Sequence, residues 1–370
     1  MTERGSNEAR GRVRVAYLAH GVHGSRDGVR GKILAQAATW AQLDPNVHVG
    51  VFVRCEAGAA ADWRSQPHVV KVRSSRAGVA GRLLQRELLS LEVFRWKPDL
   101  VYLRYSTVSP SVAMLVRSIP TVVELNTLDL SELRMRSVLR YRWARATRAF
   151  LLRKARGHVF VAREIADDPS VRALEVPKVV IPNSIDLERH QPLSAPHNAV
   201  PHLVFIGAPH TPWHGVDKIV TMAREFPSWV FDVIGPGHDE VAGHPANLRV
   251  HGLLDAAEYL PILARADVAI GALALRRLDL SEASPLKVGE YLAYGLPAIT
   301  SYTDTRFPDG APFLLQLPNT EDNVEAGIER IRAFVLEWMG RRVARDAIES
   351  MDARVIERRR LDFMLGSLTS

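Results

Sequence analysis

The chain has 370 residues, of which 47% are apolar and 24% are charged, and its formal net charge at pH 7 is +7. This length favours two domains, and it allows a core large enough to fold without covalent cross-links. The single cysteine, Cys55, excludes a disulfide within the chain and argues against a cysteine-based metal site.

After a polar tail over 1–12, which we expect to be disordered, short β-branched runs alternate with longer helical patterns. We predict strands at 13–18, 47–54, 69–72, 100–103, 121–125, 158–161 and 178–181. We predict helices at 32–43, 82–96, 110–118 and, as one long basic segment, 131–156. Strands that alternate with helices of this length indicate parallel βαβ units, and we assign 13–185 to a Rossmann-like N-terminal domain.

The same alternation starts again after 186–200, an aperiodic stretch containing Pro, His and Asn that we interpret as a linker. We predict strands at 203–206, 229–234, 248–251, 268–271 and 298–300, and helices at 215–225, 256–264 and 285–293. The second Rossmann-like domain covers 201–345, and a C-terminal helix at 346–370 is expected to pack on the N-terminal domain. The predicted fold class is therefore α/β, with two doubly wound parallel-sheet domains facing a deep cleft.

Positive charge is concentrated in two segments of the first half. The basic residues of the segment 134–156 are Arg134, Arg136, Arg140, Arg142, Arg145, Arg148, Arg153, Lys154 and Arg156. A second cluster consists of Arg73, Arg76, Arg82 and Arg86. A solvated helix face explains such runs, and so does docking to an anionic membrane surface or to a phosphorylated acceptor. Since no zinc-finger spacing or RNA-binding signature accompanies the charge, we expect no nucleic-acid partner.

The sequence also bears on where the protein acts. The first apolar run, 13–19, is too short for the core of a secretory signal. No run of about 18 apolar residues exists that could span a membrane. We therefore expect a cytoplasmic protein, with the basic segment 134–156 available for peripheral contact with the inner face of a membrane.

The strongest chemical signal is the segment 282–299, EASPLKVGEYLAYGLPAI. Pro285 suits the first turn of a helix, whose start would bind phosphate through free backbone N–H groups. These N–H groups belong to Ser284, Leu286 and Lys287. Glu290 lies further along the same helix, where its carboxylate can accept hydrogen bonds from two vicinal ribose hydroxyls. Glu282 precedes the helix on a loop that faces the pocket.

This segment closely resembles the E-x7-E signature of retaining family 4 glycosyltransferases of the GT-B fold, in particular the subgroup with S-P-L-K-x-x-E-Y. The resemblance extends over about 13–300. It implies transfer of a hexose-type sugar from a nucleoside diphosphate donor, most commonly a UDP-sugar, to a hydroxyl of a small-molecule, glycan or lipid-linked acceptor. Glu282 would position the donor sugar. The resemblance implies no cofactor and no metal, and the sequence contains neither D-x-D nor a cluster of residues with metal-ligand spacing.

Two further segments resemble the donor-binding domain of the family. The segment 205–217, FIGAPHTPWHGVD, resembles its opening strand, loop and helix, and contains Gly207. His214 stands where relatives carry a lysine that supplies a cation to the donor diphosphate, and histidine is charged only when protonated. Residues 250–252 resemble the loop that holds the base of the nucleotide, which makes His251 and Gly252 donor-binding candidates.

Two segments of the first half, 98–106 and 120–127, resemble the same subgroup. Many family members carry a histidine near Asn126, at the strand end facing the reacting sugar. Asn126 can hydrogen-bond a sugar hydroxyl but cannot act as a base. Arg104 is a candidate for binding donor phosphate or an acidic acceptor, and a structural ion pair with Glu124 is the alternative.

The glycine-rich loop 21–31 is not a dinucleotide fingerprint, because its glycines are three, four and three residues apart. This spacing argues against a nicotinamide-dependent dehydrogenase. In the family that the chain resembles, the equivalent loop approaches the donor phosphates, which implies that role for Gly24 and Gly28. Two alternative functions stay open: a GT-B-fold sugar-nucleotide epimerase and a non-catalytic scaffold that binds a nucleotide sugar.

Overall fold

A computed structural model describes residues 12–22, 28–74, 78–241 and 243–369, and the chain divides into two compact units. Unit 1 contains the described residues up to Ile181 together with those from Ala353 onward. Unit 2 spans Pro182–Asp352. This division differs from the predicted domains at 13–185 and 201–345.

The segment 186–200, which we interpret from the sequence as a linker, falls within unit 2. Leu187 is buried, and its backbone N–H donates to Asp352 Oδ2 at 3.3 Å. Ile185 forms a parallel bridge with Asp352. This aperiodic segment is therefore ordered within unit 2, because its backbone groups form hydrogen bonds with residues that are distant in sequence.

Unit 1 is built on a parallel sheet. Its strands are β1 (Val13–Val22), β2 (Val47–Cys55), β3 (Val69–Ser74), β4 (Leu100–Arg104), β5 (Thr121–Leu125), β6 (Gly157–Phe160) and β7 (Lys178–Val180). Within the described residues the sheet has seven strands, in the order β3-β2-β1-β4-β5-β6-β7. The order reverses between β1 and β4, and ligands of doubly wound sheets bind outside the carboxyl ends of the strands at such a reversal.

Helices connect these strands, as the periodicity predicts. They are α1 (Gly28–Leu43), α2 (Ala60–Arg64), α3 (Val79–Trp96), α4 (Pro110–Ser118), α5 (Asp129–Arg136), α6 (Val138–Lys154), α7 (Arg163–Ala166) and α8 (Pro169–Arg172). Pro110 occupies the first turn of α4, and the Ser109 hydroxyl accepts a hydrogen bond from Val112 N–H.

The prediction of one helix over 131–156 is wrong. Ser137 is extended (φ −166°, ψ 113°), so α5 ends before it, and its hydroxyl accepts a hydrogen bond from Arg140 N–H at the start of α6. A serine in this conformation is a favoured helix N-cap. Arg148 is also not part of an exposed basic face, since it is buried and its Nη2 lies 2.9 Å from Asp129 Oδ1.

Unit 2 contains a second parallel sheet. Its strands are β8 (His202–Ile206), β9 (Val230–Ile234), β10 (Leu248–Gly252), β11 (Val268–Ile270), β12 (Glu282–Ala283), β13 (Ala298–Thr300), β14 (Thr303–Asp304) and β15 (Leu314–Gln316). Among the described residues, six of them form a sheet in the order β10-β9-β8-β11-β13-β15, and β12 pairs with β14 separately. This order repeats the doubly wound arrangement of unit 1.

The helices of unit 2 cover its sheet. They are α9 (Val216–Glu225), α10 (Ala256–Arg265), α11 (Leu286–Ala293), α12 (Asn323–Ala326) and α13 (Ile328–Trp338). Asp255 and Glu258 form a capping box at the start of α10. None of the helices in the described part of the chain is long and apolar enough to cross a membrane.

The end of the chain belongs to both units. The predicted C-terminal helix at 346–370 consists of a short 3-10 helix, Asp346–Met351, in unit 2 and a helix α14, Ala353–Gly366, in unit 1. Helix α14 packs against α1. It brings two charged side chains, Glu357 and Arg360, into the interior of unit 1, where neither is exposed.

Candidate functional site

The carboxyl ends of β8 and β9 lie against each other at two glycines. Gly207 N–H donates to Ile234 O at 2.9 Å. Gly235 has φ +103°, and a Cβ atom on it would lie 1.7 Å from Gly207 O. Gly207 also has no room for a side chain, since a Cβ atom would lie 2.8 Å from His214 Nδ1. Only glycine allows so close an approach at Gly235, and the two strand ends present backbone rather than side chains.

His214 and Lys287 form a pair near these strand ends. Lys287 Nζ lies 3.1 Å from His214 Nε2 and 4.7 Å from the centre of the Phe205 ring. Burial lowers the pKa of Lys287 to about 7. Burial and the nearby Lys287 lower the pKa of His214 to about 2. His214 is therefore neutral, accepts a hydrogen bond from Lys287, and cannot supply the positive charge that its position suggested.

The start of α11 lies directly after Pro285, which is the N-cap residue rather than the first residue of the helix. The N-cap residue Pro285 makes no side-chain hydrogen bond to the helix, and the backbone N–H groups of a first helical turn can bind an anion. The preceding turn is fixed from elsewhere in unit 2. Asn183 N–H donates to Ser284 Oγ at 2.9 Å, and the Asn183 side chain donates to Ser284 O. Leu286 and Lys287 follow in the first turn.

Arg306 and Asp304, which belong to none of the motifs in the sequence, support this turn. Both are buried, and Arg306 Nε donates to Asp304 Oδ1 at 2.8 Å. Arg306 Nη2 also donates to Pro285 O at 3.1 Å. A Cβ atom on Gly289 would lie 2.1 Å from Arg306 Nη1, so a glycine in α11 leaves room for the guanidinium. Glu282, partly buried, lies on β12 and is paired in register with Thr303 of β14.

Glu290 is held by a tyrosine. Tyr259 of α10 donates its hydroxyl proton to Glu290 Oε1 at 2.6 Å. Burial raises the pKa of Glu290, and the hydrogen bond from Tyr259 opposes that rise. Tyr291, the next residue, accepts a hydrogen bond from Ile206 N–H at 2.7 Å and ties α11 to β8. Glu290 thus has one carboxylate oxygen fixed by Tyr259, a contact that sequence spacing did not reveal.

His251 and Gly252 lie at the end of β10. His251 Nε2 is 2.7 Å from Oδ1 of the buried Asp232. Gly252 has φ +65°, and its carbonyl oxygen accepts a hydrogen bond from Gly235 N–H at 2.6 Å. Of the candidate donor residues of unit 2, Gly207 directly follows β8, His251 and Gly252 end β10, and Lys287 and Glu290 lie on α11.

Unit 1 places Asn126 in a network centred on the buried Glu124. Lys32 Nζ donates to Glu124 Oε1 at 2.8 Å and to Asn126 Oδ1 at 2.7 Å. Asn126 Nδ2 donates to Glu124 Oε2 at 3.0 Å. Arg104 Nη1 lies 3.6 Å from Glu124 Oε2, so the structure contains the ion pair that was the alternative for Arg104. Lys32 was not predicted from the sequence to be part of the candidate site.

The network continues to the C-terminal helix. Arg360 Nη1 lies 3.3 Å from Glu124 Oε1 and 3.1 Å from the Tyr102 hydroxyl, and Arg360 Nε donates to Glu357 Oε2. Burial alone would raise the pKa of Glu124, but Lys32, Arg360 and Arg104 hold it well below its usual range. Burial lowers the pKa of Lys32 to about 8, against the attraction of Glu124. The long separation of these residues in sequence explains why no local pattern connected them.

The glycine loop is only partly described. Gly28 is the first residue of α1. Gly24 lies outside the described residues, and its proposed contact with donor phosphates stays a prediction. In the ranges that the structure describes, no group of three or more His, Cys, Asp or Glu side chains could hold a metal ion.

Solved structures share this architecture. Sucrose-phosphate synthase from Thermosynechococcus elongatus has a TM-score of 0.64 at 14% identity, over 97% of this chain and 98% of that chain. Alr3699/HepE from Anabaena, solved with UDP and glucose, has a TM-score of 0.64 at 14% identity, over 96% and 100% of the two chains. UDP-GlcNAc 2-epimerase from Neisseria meningitidis, bound to UDP-GlcNAc, has a TM-score of 0.53 at 10% identity, over 96% and 100%. The fold is the GT-B architecture of two Rossmann-like units.

One family model matches the sequence itself. The model described as Glycosyltransferase Family 4 matches residues 33–189. Residues 33–189 are therefore similar to that family, in a chain that has the GT-B fold. No curated protein matches the sequence.

Proposed function

We propose that this protein is a retaining glycosyltransferase that transfers a hexose-type sugar from a UDP-sugar to a hydroxyl group of a small-molecule, glycan or lipid-linked acceptor. The observation that carries the proposal is the arrangement of Lys287 and Glu290 on the start and body of α11, with the His214 side chain 3.1 Å from Lys287 Nζ. Cationic and N–H donors there suit a diphosphate, and the carboxylate of Glu290 suits ribose hydroxyls.

In this reaction the bond between the anomeric carbon and the diphosphate breaks, and the acceptor oxygen bonds to that carbon. Negative charge develops on the leaving diphosphate. Lys287 and the N–H groups of Leu286 and Lys287 would stabilise it without a metal ion, since such donors are already oriented before the reaction. Glu282 would position the donor sugar, and the departing diphosphate would take the acceptor proton. His214 would hold Lys287 in place, and Asn126 would hydrogen-bond a hydroxyl of the sugar.

Replacement of Glu290 by alanine tests the donor site. We expect the dissociation constant for UDP, measured by calorimetry, to rise by about tenfold or more, because hydrogen bonds to a charged group are worth about 1.5–3 kcal/mol. Tyr259→Phe removes only the hydrogen bond that holds Glu290 and should weaken UDP binding less. Glu225→Gln, at an exposed position of unit 2, is the control and should leave binding unchanged.

Two outcomes would contradict the proposal. UDP binding that Glu290→Ala leaves unaltered would place the nucleotide elsewhere. Hexose isomerisation by the wild type without an acceptor would instead favour an epimerase, the activity named for the structurally similar Neisseria protein. Product analysis by NMR separates these outcomes, because transfer yields a new glycosidic bond whose anomeric configuration matches the donor.

A surface of unit 1 supports the proposal of peripheral membrane contact. Helix α4 packs against α3 and α6. Large apolar side chains on these three helices are exposed: Leu83, Leu84, Leu91, Met114, Val138, Leu139 and Trp143. Leu139 is 79% exposed, and the exposed Arg142 and Arg145 follow on the same helix. Apolar side chains beside basic ones are typical of helices that lie in an anionic membrane interface.

Replacement of Arg142 and Arg145 by glutamate tests this contact. At low salt we expect binding to vesicles that contain phosphatidylglycerol to fall by more than about tenfold, because each basic residue near such a surface contributes about 1 kcal/mol. Leu139→Ser should also weaken binding to the vesicles. This loss should be the same at low and high salt, because salt screens charges and Leu139 makes an apolar contact. Arg249→Glu, at an exposed site of unit 2, is the control. Equal flotation of all four proteins with the vesicles would refute the contact.

A further inference from the structure

Three basic side chains lie near the carboxyl ends of β1 and β2 in unit 1, and we call His20, Arg54 and Arg86 the His20 cluster. His20 and Arg54 are register partners on the two strands. Gly21 has φ +80°, and a Cβ atom on it would lie 3.2 Å from Arg54 Nη2. The guanidinium of Arg54 therefore lies close to the backbone at the end of β1, where glycine leaves it room.

Arg86 reaches the same place from α3. It is 9% exposed, and its Nη1 donates to Thr107 Oγ1 at 2.8 Å. Its Nη2 lies 3.4 Å from Ser106 Oγ, and Ser106 and Thr107 lie two and three residues after the end of β4. Arg86 Nε and His20 Nδ1 are buried, and among the described residues 12–22, 28–74, 78–241 and 243–369 neither has a hydrogen-bond partner. A buried N–H donor without a partner is costly and uncommon, unless a ligand supplies the acceptor.

The charges in the His20 cluster repel one another. Burial lowers the pKa of Arg86 to about 10, with Arg54 and Arg140 acting in the same direction and Glu87 opposing. Burial also lowers the pKa of Arg54, as do Arg82 and Arg140, and Cys55 and Glu56 oppose that change.

His20 follows the same pattern. Burial, Arg86 and Arg54 lower its pKa well below the usual range, so it is neutral. Ser90 Oγ lies 3.5 Å from its Nε2. The carboxylate of Glu87 is itself engaged by Ser111 N–H at 2.9 Å. The cluster thus concentrates cations and neutral donors in a partly buried place, which an anion would stabilise.

We infer that the His20 cluster binds a phosphate group of the acceptor, so that the acceptor of the proposed glycosyltransferase is a phosphate ester. That the bound phosphate belongs to an acceptor rests on the proposed function. The anion site itself rests only on the geometry of the His20 cluster. Two guanidinium groups match the oxygens of a phosphate, and the hydroxyls of Ser106 and Thr107 add further donors. The cluster flanks the reversal of strand order between β1 and β4, where doubly wound sheets bind their ligands.

Calorimetry with inorganic phosphate and with glycerol phosphate tests the site. We expect Arg54→Gln and Arg86→Gln each to weaken binding of both by about tenfold or more, since each removes a charged hydrogen-bond donor. Arg95→Gln is the matched control, because Arg95 is exposed near the opposite end of the same helix α3 and loses the same charge. Because Arg86 is buried, Arg86→Gln could fail to fold. Arg54 is only half-buried, so Arg54→Gln tests the phosphate site in that case.

Three results would overturn the inference. Phosphate that binds wild type and Arg54→Gln equally does not use the His20 cluster. Phosphate binding that Lys287→Met abolishes and Arg54→Gln leaves intact belongs to the donor site. If the wild type does not bind phosphate at all, the His20 cluster is not a phosphate site. Because Arg54→Gln should retain UDP binding, failure of the phosphate site and failure of the proposed donor site give different results.

A second experiment distinguishes a phosphate ester carried by a lipid from a soluble one. Vesicles of phosphatidylcholine with and without phosphatidic acid are offered to wild type and Arg54→Gln. Competition of glycerol phosphate with phosphatidic acid for the wild type indicates a lipid-borne phosphate ester. Binding of glycerol phosphate that the vesicles do not affect indicates a soluble acceptor. Either result supports a phosphate site, provided that Arg54→Gln weakens it.

Discussion

Replacement of Lys287 by methionine should lower kcat/KM for sugar transfer by about 10²–10³, the usual effect of removing one donor that stabilises developing negative charge. Lys287 lies in the first turn of α11, and the neutral His214 beside it cannot replace its charge. Lys71→Met, at an exposed position in unit 1, is the matched control and should keep full activity. Lys287→Arg should restore part of the activity, since it restores a cation. Full activity of Lys287→Met would show that Lys287 does not stabilise the leaving group.

The pKa of Lys287 gives the same residue a pH signature. Lys287 is protonated below its pKa of about 7 and neutral above it, and only the protonated form attracts the diphosphate. The second ionisation of a phosphate group lies near pH 6, so the charge of UDP is constant above about pH 7. UDP affinity of the wild type should therefore fall as pH rises from about 7 to 9. Calorimetry should find no such fall in Lys287→Met or Lys287→Arg.

Replacement of Glu124 by glutamine should lower the free energy of unfolding by about 3–5 kcal/mol, because it leaves buried positive charges without their partner. Lys32 and Arg360 both contact Glu124, and neither Glu124 nor Arg360 is exposed. Glu175→Gln, at an exposed position of the same unit, should change the free energy by less than about 0.5 kcal/mol. Urea denaturation followed by circular dichroism measures both variants.

This contribution should depend on pH. The pKa of Glu124 in the folded protein is well below its value in the unfolded chain, about 4.3. The stability that it contributes is then complete above that unfolded value and is lost as pH falls toward the folded one. The difference between wild type and Glu124→Gln should stay constant from about pH 7 to 6 and shrink below about pH 5. A difference that grows in acid would contradict the assignment of Glu124 as the anion of the network.

The fold could be predicted from the sequence to a large extent, because alternating β-branched runs and helical periods carry it locally. The bounds of α4, β5 and β13 agree with the prediction at both ends. The strands β12, β14 and β15 were missed, since none of these short strands contains a run of β-branched residues. The break at Ser137 was missed because basic residues continue across it, although a serine before a helical run is a known start signal.

The candidate site could be predicted from the sequence only where its residues are close together along the chain. The segment 282–290 pointed to α11 and to Lys287, since the helix start and the glutamate lie within one short stretch. Partners from distant segments were not visible: Tyr259 for Glu290, and Lys32 for Glu124. Such contacts are set by strand order and helix packing, which no local spacing encodes.

The position of α14 has a consequence for the order in which the protein is completed during synthesis. Unit 2 is continuous in sequence, whereas the buried partners of Glu124 include Arg360, which follows all of unit 2. A ribosome releases Glu124 and Lys32 long before Arg360 and Glu357 exist. Until then the sheet of unit 1 lacks the helix that packs against α1. Unit 1 therefore begins to emerge first but acquires its full core only after all of unit 2 has been synthesised.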